Sequence, residues 1–337
     1  MKFVVCEEPG KFSKKEMDAP VLEAGRCLLK IKRIGVCGTD LHAYKGNQPY
    51  FSYPRILGHE LSGVIEAIDG NDEFKVGEEV TFIPYYSCGK CIACRKGKTN
   101  CCSDIRVCGV HVDGGMVEIL SIPADALIKG EGISLDGLAL VEPLAIGAHG
   151  VRRAQIEKES FVLVMGAGPI GLGTAHFAAI AGAKVIMLDL DQNRLDFCLE
   201  HLPIHAVING KNEEVAEKLR ELTGGDMCEV VIDATGNLKA MQAGFSYLAH
   251  GGRFVLIGLQ KNEIAVNHPE FHKREASLMS SRNATREDFD VVIKAMSEGL
   301  VNPETYITHR LSFDEVADRF EELYQPDNGL IKAMISL

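Results

Sequence analysis

Five apolar residues, Phe161–Met165, run straight into Gly166-Ala167-Gly168-Pro169-Ile170-Gly171. An apolar, alanine-rich stretch follows as far as Gly182, and a second apolar run, Lys184–Asp189, comes next. Strand, glycine turn, helix and strand in that order can hardly fold as anything but a βαβ unit. In it Gly166 allows the tight turn, Gly168 lets the backbone approach a pyrophosphate, and Gly171 lets the helix pack close to the strand. The helix N-terminus offers free N–H groups and the positive dipole end to phosphate. Asp189 closes the second strand eighteen residues past Gly171. A carboxylate there accepts hydrogen bonds from ribose hydroxyls and repels a 2′-phosphate, which predicts NAD rather than NADP. Arg194 suits either an adenine contact or a solvated helix start. The alternation continues through Glu213–Leu222, Glu229–Asp233, Arg253–Gly258, Ser277–Ser281 and a helix at Arg286–Glu298. Strands spaced by helices predict an α/β, doubly wound parallel sheet.

The first 145 or so residues read differently. Cys27–Ile34, Gly63–Ile68 and Glu79–Ile83 are short apolar runs punctuated by glycine and proline, the pattern of β-strands. Inside this half lie Cys88, Cys91, Cys94 and Cys102, spaced C-x2-C-x2-C-x7-C. A tight loop can set three thiolates around one ion while the fourth closes a tetrahedron, as in a structural zinc site with no open position. Buried thiols or a disulfide pair would give the same count of cysteines, but Gly89, Lys90, Arg95, Lys96, Gly97 and Lys98 make the run polar and loop-like. Iron–sulfur runs of bacterial type close with a shorter last gap and a proline. A structural zinc lobe over about residues 86–104 is expected. The remaining cysteines, Cys6, Cys27, Cys101, Cys108, Cys198 and Cys228, are read as packing residues.

Cys37 follows a strand-like run, His59 and Glu60 stand in Leu57-Gly58-His59-Glu60, and Glu142 precedes Pro143. Mixed cysteine, histidine and carboxylate ligands suit a catalytic Zn²⁺ with room for substrate. Taken singly, each has an ordinary alternative: a lone Cys37 is usually a small buried hydrophobe. Spacing across distant segments does not decide between these readings. Composition narrows the partners. The 337 residues carry 36 basic and 47 acidic side chains, net −11, without a basic block, so nucleic acid and anionic membrane are not expected. No stretch of about eighteen apolar residues is present to span a membrane. Glu7 and Glu8 break the first apolar run too early for a signal peptide. Clustered thiols without such a signal point to a reducing cytoplasm.

Together, these motifs resemble the zinc-containing medium-chain alcohol and polyol dehydrogenase family, over essentially the full chain. The resemblance implies a GroES-like, β-rich catalytic domain, residues 1–147 and 284–337, interrupted by a Rossmann NAD-binding domain, 148–283. It implies two zinc ions per chain. Cys37, His59 and Glu60 fall where the family places catalytic zinc ligands, and Glu142 where it ligates zinc or holds its water. Cys88, Cys91, Cys94 and Cys102 match the structural lobe. Thr39 and His42 stand at the proton relay. Gly166, Gly168, Pro169, Ile170, Gly171, Asp189 and Arg194 match the NAD site of the sorbitol-dehydrogenase branch, and Ile257-Gly258-Leu259 the nicotinamide lining. Ser281-Arg282-Asn283 resembles a segment near cofactor and substrate, with Arg282 a substrate contact. Thr308-His309-Arg310 is a family phrase of structural kind.

Two strings, Gly46-Asn47-Gln48-Pro49-Tyr50-Phe51-Ser52-Tyr53-Pro54-Arg55 and Gly109-Val110-His111 with Asp113-Gly114-Gly115, are similar to bacterial L-galactonate and L-gulonate oxidoreductases. Ala43 departs from the tyrosine of sorbitol dehydrogenases, which weakens a polyol reading. The implied reaction is oxidation of a secondary hydroxyl of a sugar acid or sugar alcohol to a ketone by NAD. A threonine 3-dehydrogenase or general alcohol dehydrogenase is the enzymatic alternative, and an NAD-binding redox sensor the other. The resemblance further implies a homodimer or homotetramer.

Overall fold

The computed structural model describes residues 1–48, 51–130, 132–325 and 328–337. It divides into two compact units, Met1–Glu142 with Thr285–Leu337, and Pro143–Ala284. Among the described residues, nine strands precede the boundary: β1 Lys2–Glu8, β2 Lys11–Glu16, β3 Arg26–Val36, β4 Glu60–Ile68, β5 Glu79–Phe82, β6 Tyr85–Tyr86, β7 Arg106–Val107, β8 Ile119–Pro123 and β9 Leu127–Lys129. The second unit contains β10 Phe161–Met165, β11 Lys184–Asp189, β12 Ala206–Asn209, β13 Cys228–Asp233, β14 Leu248–Leu256 and β15 Ser277–Ser280. The chain then returns with β16 Ile307–Ser312 and β17 Lys332–Ser336.

In the first unit β16-β17-β3-β4-β5-β9 form one sheet, with β8 also pairing β3, and β1-β2 and β6-β7 form two small hairpin-like pairs. Strand β3 is the spine. Its eleven residues alternate little because both faces are covered: Leu29, Ile31 and Ile34 are at most 1% exposed. They pack with Leu57, Leu61, Ile65, Phe82, Met116, Ile122 and Phe320 in one core. Cys6, Cys27 and Cys108 lie in it too, as small apolar groups, and burial pushes their thiols up to about 12, 11 and 12. Cys198 and Cys228 are buried as well, but Cys101 is exposed, so the packing expectation fails there.

The second unit is a six-stranded parallel sheet ordered β12-β11-β10-β13-β14-β15. Its strands read as unbroken apolar runs because helices cover both faces. Leu163, Met165, Ile186, Ile208, Val231 and Phe254 make its core. The order reverses between β10 and β13, so a crevice opens at the carboxyl end of β10, where doubly wound sheets bind ligands. Of the described residues, no helix is long and apolar enough to cross a membrane.

Two expectations differ from what forms. A twenty-residue helix, Leu135–Ala154, occupies the stretch around Glu142 that reads as β-rich. Its glycines and Pro143 look like breakers, yet they serve close approach: a Cβ on Gly147 would sit 2.7 Å from the Thr174 backbone nitrogen. Strand β14 starts at Leu248, five residues before the apolar run, because a register shift opposite Cys228 and Val230 absorbs the glycine pair at 251–252. Phe313–Leu323 forms three short turns, 3₁₀, α and 3₁₀. Phe313, Val316, Phe320 and Leu323 are all buried, and spacings of three and four satisfy mixed turns as well as an α-helix.

Candidate active site

Cys37 follows β3 and caps a seven-residue helix, Gly38–Tyr44, in which Asp40 returns its carboxylate to the Cys37 N–H at 2.9 Å. His59 directly precedes β4 and Glu60 begins it. One ligand atom from each of Cys37, His59 and Glu60 lies within 4.8 Å of the others. His59 is 6% exposed and Glu60 fully buried. The strand register sets Glu60 opposite Gly35, and a Cβ there would run into the Glu60 carboxylate. Glycine at 35 is what gives this carboxylate its room.

Asp40, Glu60 and Glu142 are buried beside Cys37 and His59, and Lys332 is buried among them. Its Nζ lies 2.6 Å from both Glu60 oxygens and donates to the Val36 carbonyl at 3.1 Å. Burial opposes the charge on Lys332, but Glu60 and then Cys37 raise its pKa. Burial would lower His59 too, yet Cys37, Asp40 and Glu142 draw it well above its ordinary value. Burial pushes Glu142 up to about 7, with Glu60 adding, against the pull of His59, Tyr85 and Lys332. His59 Nδ1 is buried without a hydrogen-bond partner, 3.9 Å from an Asp40 oxygen. Thiol, imidazole and carboxylate donors brought together, with a carboxylate 3.9 Å from the His59 Nδ1, fit a divalent cation. Cys37, His59 and Glu60 are therefore the residues that can hold one. Glu142 stands outside that trio and receives a hydrogen bond from the Tyr85 hydroxyl. Thr39 and His42 lie three apart on the Gly38–Tyr44 helix, and His42 is exposed.

Cys88, Cys91, Cys94 and Cys102 make the second cluster, again within 4.8 Å. The Cys88 and Asp104 N–H groups point at Cys102 Sγ, at 3.2 and 3.3 Å. Backbone N–H groups, Cys94's first, lower the Cys91 thiol to about 5, while burial and the neighbouring sulfurs raise Cys94 to about 11. The sulfurs share protons at close range, an arrangement a soft cation resolves by replacing them. Among the described residues these two are the only such groups.

In the other unit, Gly166 has φ +99°, and a Cβ on Gly171 would run into the Gly166 carbonyl. Nothing of the protein comes nearer than 3.6 Å to a Cβ placed on Gly168, and that nearest atom is Arg194 Nη1. The Gly168 backbone is thus open, with a guanidinium beside it, as a phosphate cradle requires. Asp189 reaches back to the turn, accepting from Ala167 N at 2.6 Å, and also from Leu190 and Asp191. Ile257 and Gly258 donate backbone N–H to the Asp233 carbonyl, and Leu259 is 68% exposed. Ser281 Oγ is buried and unpartnered, and Arg282 is exposed.

Sequence reasoning assigned no role to three residues that shape the first cluster. Asp40 was visible within Cys-Gly-Thr-Asp; Tyr85 and Lys332 carry no local signal, since only tertiary pairing brings them in. Of the string Gly46–Arg55, Pro49 and Tyr50 lie outside the described residues. Its end packs on the second string: Arg55 Nη1 meets Asp113 at 3.2 Å, and Gly114, Gly115 and Met116 bond to the 56–58 carbonyls. These two strings build the platform beneath His59. Thr308 and Arg310 are structural, binding Ile331 and Asp136.

With this geometry in hand, the likenesses carry weight. Residues 23–132 match the family pattern "Alcohol dehydrogenase GroES-like domain" and 169–298 match "Zinc-binding dehydrogenase". The L-galactonate-5-dehydrogenase of Escherichia coli K12 is 43% identical over 337 residues, covering 100% of this chain and 99% of that one. The chain belongs to the zinc-containing medium-chain alcohol and polyol dehydrogenase family. It is thus a zinc-dependent dehydrogenase using a nicotinamide cofactor. A structure titled short chain alcohol dehydrogenase (rspB) from E. coli CFT073, complexed with NADH, superposes with TM-score 0.93 at 32% identity, covering 100% of this chain and 99% of that. A zinc-binding dehydrogenase of Sinorhizobium meliloti 1021 bound to NADP gives 0.92 at 26%, with coverage of 100% and 99%.

Proposed function

We propose that this dehydrogenase oxidises a secondary hydroxyl of a sugar acid to the ketone, with NAD as hydride acceptor and two zinc ions per chain. The unit Met1–Glu142 with Thr285–Leu337 would be catalytic and Pro143–Ala284 would bind the dinucleotide. The Cys37–His59–Glu60 cluster, with its ligand atoms gathered within 4.8 Å of one another and largely buried, carries the reading. Full-length likeness to an enzyme named for L-galactonate supports the substrate class, as does Ala43 in place of a tyrosine.

Cys37, His59 and Glu60, with Glu142 beside them, would hold the catalytic zinc; Cys88, Cys91, Cys94 and Cys102 would hold the structural one. Zinc, when bound, supplies Lewis acidity that lowers the pKa of a substrate hydroxyl. Thr39 Oγ1 accepts the hydroxyl proton and hands on its own toward the His42 imidazole, one helical turn along the same face. Exposed His42 releases it to water. Asp40 steadies the His59 ring, and Lys332 fixes the Glu60 carboxylate. The open Gly168 backbone takes the pyrophosphate, Asp189 takes the ribose hydroxyls and disfavours a 2′-phosphate, and Arg194 borders the site. Ile257, Gly258, Leu259 and Ser281 are assigned to the nicotinamide end. Arg282 is assigned to the substrate carboxylate, which a guanidinium grips at two points. The exposed edge strand β15, with Leu278 42% exposed, supports a homodimer or homotetramer. Thiols free of disulfides support a reducing, cytoplasmic setting.

The test is a screen of aldonates against their matching alditols, following NADH formation by protein shown to carry two zinc ions. Aldonates should be the better substrates, and Arg282→Ala should reduce kcat/KM for aldonates at least tenfold more than for alditols. Alditols preferred by the wild type, with Arg282→Ala lowering both alike, would defeat the sugar-acid assignment.

A further inference from the structure

Tyr85 opens the two-residue strand β6, which pairs with β7 in the register Tyr85–Val107 and Tyr86–Arg106. Between these strands runs the whole tetracysteine loop, Cys88 to Cys102, so the pair is a clasp closing both ends of that lobe. The clasp fixes where Tyr85 can point. Its side chain is 8% exposed, its ring meets Phe289 edge-on at 6.4 Å, and its hydroxyl donates to Glu142 Oε1. Glu142 is itself only 4% exposed. With Oε1 engaged by Tyr85, the second oxygen is the one left to face a cation or its water. A carboxylate free to rotate would offer either oxygen, or both, and would compete with Glu60 for the same position.

We infer that Tyr85 is a positioning residue: it holds Glu142 in a one-oxygen presentation to the catalytic metal and ties the tetracysteine lobe mechanically to the reaction centre. The inference rests on the proposed reading of Cys37, His59 and Glu60 as the zinc site. Nothing in it requires the hydroxyl to touch substrate or metal. Partners at this remove from a metal typically govern its affinity by about 10- to 100-fold.

Cobalt replacement separates the possibilities, because the ligand-field spectrum reports geometry at the metal independently of turnover. Wild type and Tyr85→Phe, which deletes one oxygen and keeps the ring, are loaded with Co²⁺ and titrated with chelator. The lobe metal should be retained and the melting curve nearly unchanged. The catalytic-site spectrum should shift, and that metal should be lost at about 10- to 100-fold lower chelator strength. In a Glu142→Gln background, Tyr85→Phe should add no further change. A catalytic-site spectrum and chelator sensitivity matching the wild type would overturn the inference. So would an equal effect in the Glu142→Gln background, since Tyr85 would then act through another group. A Tyr85→Phe chain that fails to fold or loses both metals would also overturn it, because the lobe is required to stand without the hydroxyl. Uptake of only one cobalt by the wild type is the separate result that removes the zinc-site reading itself.

Discussion

Lys332 shows what a single residue contributes that its neighbours in sequence do not announce. It begins β17 and reads as an ordinary lysine in Gly329-Leu330-Ile331-Lys332, yet it is 2% exposed with its Nζ on both Glu60 oxygens. Removing one partner of a buried ion pair leaves an uncompensated charge, which typically costs about 3–5 kcal/mol. Lys332→Met should destabilise the chain by about that much in urea unfolding. Adding Glu60→Gln should recover part of the loss, because it removes the stranded carboxylate. A single variant as stable as the wild type would show that Glu60 does not depend on Lys332. The same logic explains the limits of residue-level reading. Cys37, His59 and Glu60 could be picked out as donor types, but only the resemblance joined them, since the Gly35–Glu60 register that brings Cys37 and β4 together is a tertiary fact.

Among the elements, the strand-turn-helix at Phe161–Ile180 was the most legible, because its glycines have separate physical reasons. Gly171 is required by the protein: a Cβ would run into the Gly166 carbonyl. Gly168 is not, since its nearest neighbour would be the far end of Arg194 at 3.6 Å. The two alanine variants therefore part company. Gly171→Ala should distort the turn, lowering both Tm and NAD affinity. Gly168→Ala should melt like the wild type and lose NAD affinity tenfold or more, its methyl occupying the space a pyrophosphate needs. Fluorescence titration with NADH beside thermal melts distinguishes them. Normal NADH binding by Gly168→Ala would remove the pyrophosphate from that turn. Elements hidden by their own composition were the ones not anticipated. The Leu135–Ala154 helix holds three glycines and a proline that sequence reasoning takes as punctuation, and β17, five residues long, has no signal apart from its neighbours in the sheet.

For the whole chain, the return of its last fifty-odd residues is what local pattern could suggest but not prove. Strand β17 is not an edge: it lies between β16 and the spine β3, so the C-terminus completes a sheet begun near residue 26. One carboxylate binds three distant parts of this unit. Asp136, at the start of the Leu135–Ala154 helix, takes Arg33 Nε of β3 at 2.5 Å and Arg310 Nη1 of β16 at 2.7 Å. Burial raises its pKa, but Arg310 and then Arg33 outweigh this, and the carboxyl stays below its ordinary value. The sign follows from linkage. Where the folded pKa is depressed, the stabilisation is fully present above the unfolded value, near 4, and is lost as pH falls through the folded one. Asp136→Asn should therefore cost about 1–2 kcal/mol at neutral pH, the lower part of the range for charged hydrogen bonds because Arg310 is half exposed. The gap between variant and wild type should stay constant down to about pH 5 and close below about pH 4. Urea midpoints measured across that range decide it: a gap that widens toward acid, or none at neutral pH, would mean Asp136 does not hold the returning segment through its charge.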